Sequence, residues 1–318
     1  MTAALCLGEL LIDFVPTVTG AGLIDAPAFV KAPGGAPGNV AVGLARLGVS
    51  SAFMGKVGDD AFGHFLAHTL AEAGVDVGPL RFSTEARTAL AFVSLRADGE
   101  REFMFYRHPS ADLLFAPREV DVAAIHRAKL VHFGSISLIG EPSRAATLYA
   151  VDTARAAGCL ISYDPNLRLP LWPDADAARK GMLLGLRKAH VVKLSDEESE
   201  FLTGIGDPQA ACRVLWHDGL RLMVVTRGRA GCTYFTPECS GAVAGFTVDA
   251  VDATGAGDGF MAGLLQGLLA DPTVFRDETR LYELCRFANA VGALTTLERG
   301  AIPALPDRER VRDFLRTF

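Results

Sequence analysis

With 318 residues, half of them hydrophobic, the chain is long enough for one large α/β unit and too apolar for wholesale disorder. A net charge of −6, with no block of like charges, argues against nucleic acid or an anionic membrane as a partner. The six cysteines are scattered without a C-x-x-C pair, mostly among apolar neighbours, which reads as free thiols in a reducing cytoplasm.

No basic leader precedes the first apolar run, which Glu9 and Asp13 interrupt, so a secretory signal is not expected. Nor does any run reach the roughly 18 uninterrupted apolar residues of a membrane span. The opening ALCLGELLIDFVP reads as a single buried strand that carries Glu9 and Asp13 towards its C-terminal end. Acids placed there are costly unless they are paired or functional. Residues 17–31 read as loop and then extended chain. The glycine cluster PGGAPGN, at 33–39, then opens onto a short helix of small residues that ends at Gly48.

Residues 50–57 are strand-like, and DDAFGHFLAHTLAEAG from Asp59 is an amphipathic helix with an aspartate at its N-cap. His64 and His68 have the i, i+4 spacing of a helical zinc pair, but no glutamate follows His64 and no third ligand is evident; surface histidines are the plainer reading. Residues 88–95 and 101–107 are strand-like runs joined by Ala97-Asp98-Gly99-Glu100, with Asp-Gly as hairpin turn. This hairpin interrupts the βα rhythm, so it is expected in a smaller separate sheet, joined by the extended piece at 28–31. Phe103 and Phe105 alternate with Met104 and Tyr106, giving one apolar face, for packing within the small sheet rather than ligand contact.

Beyond Pro109 strands and helices alternate. Strands are expected at 129–133, 160–163, 190–194 and 220–226, and helices at 141–158, 174–189, within 196–218, at 277–297 and from 307. A β-rich passage runs from 232 to 248. The alternation predicts a mainly parallel sheet covered on both faces, with ligands bound beyond the carboxyl ends of its strands. Asp13, Asp164, Ser195, Thr226 and Asp258 are expected at those ends.

The most informative stretch is VDATGAGDGF at 251–260, where Gly255, Gly257 and Gly259 surround Asp258 ahead of the helical run FMAGLLQGLL. A helix starting there aims unpaired N–H groups and its positive dipole end forward, which suits a phosphate in transfer. Asp258 could accept a proton from an attacking hydroxyl; the alternative is a plain glycine turn with Asp258 as N-cap. No G-x-x-x-x-G-K-[ST] is present, and no G-x-G-x-x-G follows an early strand, so P-loop and nicotinamide-binding sites are not supported.

GGAPGNVAVGLARLG with KVGDDAFG, and later DATGAGDGF, resemble the two signature regions of the ribokinase-like (PfkB-type) sugar kinases. GELLIDFVP, HFGSISLI and SYDPNLRLPLWP are similar to the fructokinases within that family. The resemblance implies a three-layer α/β/α kinase over 1–318, with a mainly parallel central sheet and a β-sheet lid formed by 14–34 and 85–108. It implies transfer of the γ-phosphoryl of ATP, with Mg2+, to the 6-hydroxyl of D-fructose. Another small sugar (2-keto-3-deoxygluconate or ribose), or a non-catalytic sugar sensor on the same scaffold, are the alternatives.

By the same resemblance Asp258 matches the catalytic base, and Gly255, Ala256 and Gly257 the anion hole, with Arg168 and Asn166 near the phosphates. Asp13, Gly34, Gly35, Asn39 and Arg107 match the sugar side. Thr226, Gly228, Gly231 and Asn289 match the nucleotide side. Glu198 matches the glutamate of an N-x-x-E motif that places magnesium through water, although Ser195 stands where asparagine is usual. Asp252 and Thr254 match a site for K+. The lid would exclude water on closure, and its apolar surface implies a homodimer.

Overall fold

The computed structural model describes residues 2–18, 20–95 and 101–318, without the side chains of 95 and 101–103. In chain order the elements begin with β1 (Ala4–Leu7), β2 (Leu11–Pro16), β3 (Phe29–Gly34), α1 (Ala36–Arg46), β4 (Ser51–Gly58), α2 (Ala61–Glu72), β5 (Leu80–Ser83), β6 (Ala89–Leu95) and β7 (Arg101–Tyr106). They continue with α3 (Val122–Arg127), β8 (Leu130–Gly134), α4 (Ser143–Ala156), β9 (Leu160–Asp164), α5 (Ala175–Leu186), β10 (Val191–Ser195), α6 (Asp196–Thr203) and α7 (Pro208–Leu215). The chain closes with β11 (Leu222–Thr226), β12 (Cys232–Phe235), β13 (Ser240–Val243), α8 (Ala256–Ala270), α9 (Glu278–Thr295), α10 (Ala301–Ala304) and α11 (Arg308–Arg316).

A 9-stranded sheet runs β13-β12-β11-β10-β9-β8-β1-β4-β5. All neighbours from β5 to β11 pair parallel, and β12 and β13 are added antiparallel at one edge. Strands such as LMVVT are apolar on both faces because helices cover both. One face packs on α1, α2, α8 and α9, through residues such as Leu44, Leu66, Met261 and Leu281. The other packs on α3 to α7, through residues such as Ile125, Val151, Met182 and Leu202. The three-layer architecture expected from the alternation is therefore observed.

The second sheet has 4 strands in the order β3-β2-β6-β7. The expected small sheet is present, with β6 and β7 antiparallel and the early extended segment included. The Asp98-Gly99 turn lies outside the described residues. One correction concerns the opening. It is two strands, not one: the chain breaks at Gly8-Glu9-Leu10, leaves the large sheet after β1 and enters the small sheet as β2. Gly8, at φ +155, makes that turn, since a Cβ there would sit 2.6 Å from Pro37. Apolar continuity through Leu7, Leu10, Leu11 and Ile12 hid the break, because each side of it is buried against a different sheet.

Register then sets the two faces of the small sheet. Asp13, Ala91 and Phe105 lie side by side across β2, β6 and β7. Phe105 packs with Leu11, Ala89 and Ala91. On the other face Phe14 stacks on Phe92 at 4.9 Å, and Tyr106 meets Phe92 edge-on at 5.6 Å. Both faces are thus apolar, where one was expected. The expectation considered β7 alone; the flanking strands decide both faces.

Candidate active site

Helix α8 is the centre of the site. Its N-cap is Gly255, whose left-handed φ of +79 is natural only to glycine, and a Cβ there would lie 2.5 Å from the Cβ of Ala301. The first-turn N–H groups of an α-helix have no partner within it, which is the general reason a helix start suits an anion; here the Ala256 N–H reaches back to the Ala253 carbonyl at 3.3 Å. Asp258 does not cap the helix. It lies in the first turn of α8, not at a strand end as expected, and accepts a 2.7 Å hydrogen bond from Asn39 Nδ2. Both side chains are buried. Burial pushes the Asp258 carboxyl above the ordinary aspartate value, opposed by the Asn39 amide, Lys193 and Arg168.

Asn39 stands on α1, which begins at Ala36, earlier than the sequence pattern suggests. Pro37 at the first turn and Glu9, whose Oε1 accepts the Ala36 N–H at 3.1 Å, set that start. Gly35, with φ +111, passes so close to Glu9 that a Cβ would meet its carbonyl at 2.5 Å. Asp13 lies on β2 of the small sheet rather than at a core strand end, and a Cβ on Gly34 would overlap its carboxylate. Burial raises the Asp13 carboxyl to about 6, with Arg168 opposing and Asp258 adding to the rise. Arg107 is buried at the end of the small sheet, paired with Asp112. The charges of that pair act in opposite senses on Glu9, whose carboxyl burial lifts to about 7.

On the other side of the α8 start is a cavity of about 270 Å³. Thr226, Gly228, Gly231, Ala256, Gly257 and Asn289, assigned separately in the sequence, all line it. Asn289 Nδ2 donates to the carbonyls of Val243 and Ala244, holding the end of β13 as a wall. Thr226 and Ser195 end β11 and β10 as expected. Ser195 caps α6: its Oγ accepts the Glu198 N–H at 3.0 Å while Glu198 Oε2 accepts the Ser195 N–H at 2.8 Å. Glu198 Oε1 also accepts the Leu167 N–H at 2.7 Å, pinning the loop in which Arg168 bonds Asn166 Oδ1 at 2.7 Å. Asp252 Oδ1 accepts both the N–H and the hydroxyl of Thr254, and its Oδ2 accepts the Gly300 N–H.

Among the described residues no group of three or more His, Cys, Asp and Glu is arranged to hold a metal ion. His64 and His68 are exposed and pair with Asp59 and Glu72.

Lys193 also stands at the site, without a motif to mark it. It is buried on β10, its Nζ 3.0 Å from Asp164 Oδ2, and a Cβ on Gly257 would lie 3.1 Å from that ammonium. A lone lysine inside the apolar run VVKLS was the available signal.

A parallel α/β/α core, a glycine-bounded helix start, a cavity on one side of it and buried carboxylates on the other make the arrangement of a phosphotransferase acting on a small polyol. The family model described as pfkB family carbohydrate kinase matches residues 1–308. The chain belongs to that family. It is 56% identical over 317 residues to probable fructokinase-7 of Arabidopsis thaliana, covering 99% of this chain and 92% of the relative. The crystal structure of fructokinase with bound ATP from Xylella fastidiosa superposes with a TM-score of 0.91 at 37% identity, covering 99% and 98% of the two chains. A fructokinase double mutant from Vibrio cholerae O395, in a fructose, ADP and potassium ion bound form, matches with a TM-score of 0.88 at 34% identity, covering 99% and 98%. The ribokinase-like fold and the sugar-kinase chemistry expected from the motifs are those of the chain.

Proposed function

We propose that the protein is an ATP-dependent fructokinase that makes D-fructose 6-phosphate, acting as a single kinase unit over 1–318. The observation that carries this reading is Asp258, buried and fixed by Asn39, next in the chain to Gly257, which lines the cavity. ATP occupies the cavity with its γ-phosphoryl at the start of α8. The sugar lies on the Asp13 side, held by Asp13, Asn39 and the backbone at Gly34 and Gly35. Asp258 takes the proton of the 6-hydroxyl as its oxygen forms the new bond to phosphorus and the bond to ADP breaks. The N–H groups at 255–257 and the guanidinium of Arg168 hold the charge spread over the phosphoryl oxygens. Magnesium, when bound, neutralises phosphate charge, and Glu198 orients its waters. Arg107, tied to Asp112, supports the sugar side through Glu9 rather than by open contact.

The small sheet acts as the lid, since β2 brings Asp13 to the site and its apolar surfaces exclude water that would compete with the sugar. Val15, Val30, Met104 and Tyr106 remain 40–59% exposed on it, which supports a homodimer through the lid. The turn built by Asp252, Thr254 and Gly300, beside the start of α8, is read as the K+ site. The Vibrio cholerae relative in its potassium-bound form supports that reading. All six cysteines are free, which supports a reducing cytoplasm as its location. Among the described residues no helix is long and apolar enough to cross a membrane.

Coupled ATP turnover with D-fructose, D-ribose, 2-keto-3-deoxygluconate and no sugar tests the reading. Fructose should be preferred, and Asp258→Ala should cut kcat by roughly 10²–10⁴-fold with sugar binding nearly unchanged. A preference for ribose would discard the substrate; a loss of less than about tenfold in the variant would discard Asp258 as base.

A further inference from the structure

The Lys193–Asp164 pair is out of place energetically. Its side chains are 8% and 3% exposed, and a buried ion pair is often no more stable than apolar residues of the same volume. As a tie between β9 and β10 it is also redundant, because the strands already pair through their backbones at Val191 and Val192. Its position offers a better reason. The ammonium lies directly beneath Gly257, in the first turn of the helix that carries Asp258. His132, on β8, feels the same charge: burial first and Lys193 second hold it neutral, at about 3. Lys193 itself stays charged. Burial alone would lower it, but Asp164, Glu198 and Asp258 together keep it above the ordinary lysine value.

Among the described residues five groups act on Asp258. Asn39 comes from α1, Arg168 from the loop after β9, Asp13 from β2, Asp164 from β9 and Lys193 from β10. Two of the five are positive. Arg168 is half-buried on a loop, and an incoming phosphate will engage its charge. Lys193 is on a central strand and anchored by Asp164, so its charge is in place before any ligand arrives.

We propose that Lys193, held by Asp164, is a positioning residue of the phosphoryl-transfer site, a fixed positive charge under the first turn of α8 that keeps Asp258 ionised. This rests on reading Asp258 as the base. Lys193 exchanges no proton in the step; it biases the carboxylate that does. Asp164 works in the opposite sense, since its negative charge partly cancels the ammonium.

The test is a pair of variants with opposite expected signs. Lys193→Met should lower kcat at neutral pH by about tenfold or more and move the acid limb of the kcat profile to higher pH, with KM for the sugar within about threefold of the parent. Asp164→Asn removes one negative charge while Glu198 and Asp258 still favour the ammonium, and should move that limb to lower pH. Lys193→Arg should restore the parental limb. Independently of turnover, the Asp258 carboxyl can be titrated by 13C NMR, its signal assigned by loss in Asp258→Asn, and should move in the same two directions. Limbs and titrations that stay put in Lys193→Met, or that move the same way in both variants, would overturn the proposal and leave the pair a structural tie. If Asp258→Asn retains turnover, the base assignment fails, while the titration still decides whether Lys193 sets the charge of Asp258.

Discussion

Gly255→Ala concentrates the site's geometry in one methyl group. Residue 255 has φ +79, where an L side chain costs about 1–2 kcal/mol. The added Cβ would also stand 2.5 Å from the Cβ and 2.8 Å from the Cα of Ala301. Carbon atoms prefer about 3.5–4.0 Å, and a backbone Cα cannot rotate away, so the α8 start or the 301 segment must shift by about 1 Å. Overpacking of this kind costs about 1–3 kcal/mol, which with the backbone term gives about 2–5 kcal/mol. The melting temperature should fall by at least about 3 °C. Because what moves is the start of α8, the proposed anion hole, kcat should fall by about 10²-fold while KM for fructose changes little. Gly204→Ala is the control. Gly204 has φ +72 but no atom within 4 Å of a Cβ, so it carries the backbone term alone, about 1–2 kcal/mol, and should leave kcat unchanged. Scanning fluorimetry and coupled turnover measure both variants. If Gly255→Ala melts within 1 °C of Gly204→Ala and keeps kcat within about threefold, the clash argument is wrong.

Other substitutions test the remaining walls of the site. Burial lifts Asp13 in the folded protein to about 6, above its unfolded value, so the native state binds its proton more tightly and this residue's contribution to stability falls as pH rises through about 4 to 6. Asp13→Asn should therefore melt higher than the parent at pH about 8, without that gain at pH about 4, and bind fructose more weakly; equal melting shifts at both pH values would refute the burial argument. Glu198→Gln leaves one of the Leu167 and Ser195 N–H groups facing an amide nitrogen, costing about 1–3 kcal/mol, and should raise KM for MgATP while calorimetric fructose binding without nucleotide is unchanged. Gly231→Ala sets a Cβ 2.1 Å from the Val243 carbonyl at φ +93 and should raise KM for ATP without altering KM for fructose. Equal changes in the two constants would show that the cavity wall is not specific to nucleotide.

Much of this protein is readable from local pattern. The alternation of apolar strands and helices specifies a parallel sheet covered on both faces, because such strands must be buried on both sides. VDATGAGDGF announces a glycine-rich turn carrying a carboxylate ahead of a helix; the helix starts earlier than the pattern suggests, at Ala256, which puts Asp258 in its first turn. Tertiary structure alone decided what those residues meet. Asn39 and Asp258 are 219 positions apart and touch because α1 packs against α8. The opening apolar run gives no local sign that its two halves enter different sheets, since burial on either side produces the same composition. The charge states of Asp13, Asp258 and Lys193 follow from desolvation and neighbouring charge, which exist only once distant segments have packed together.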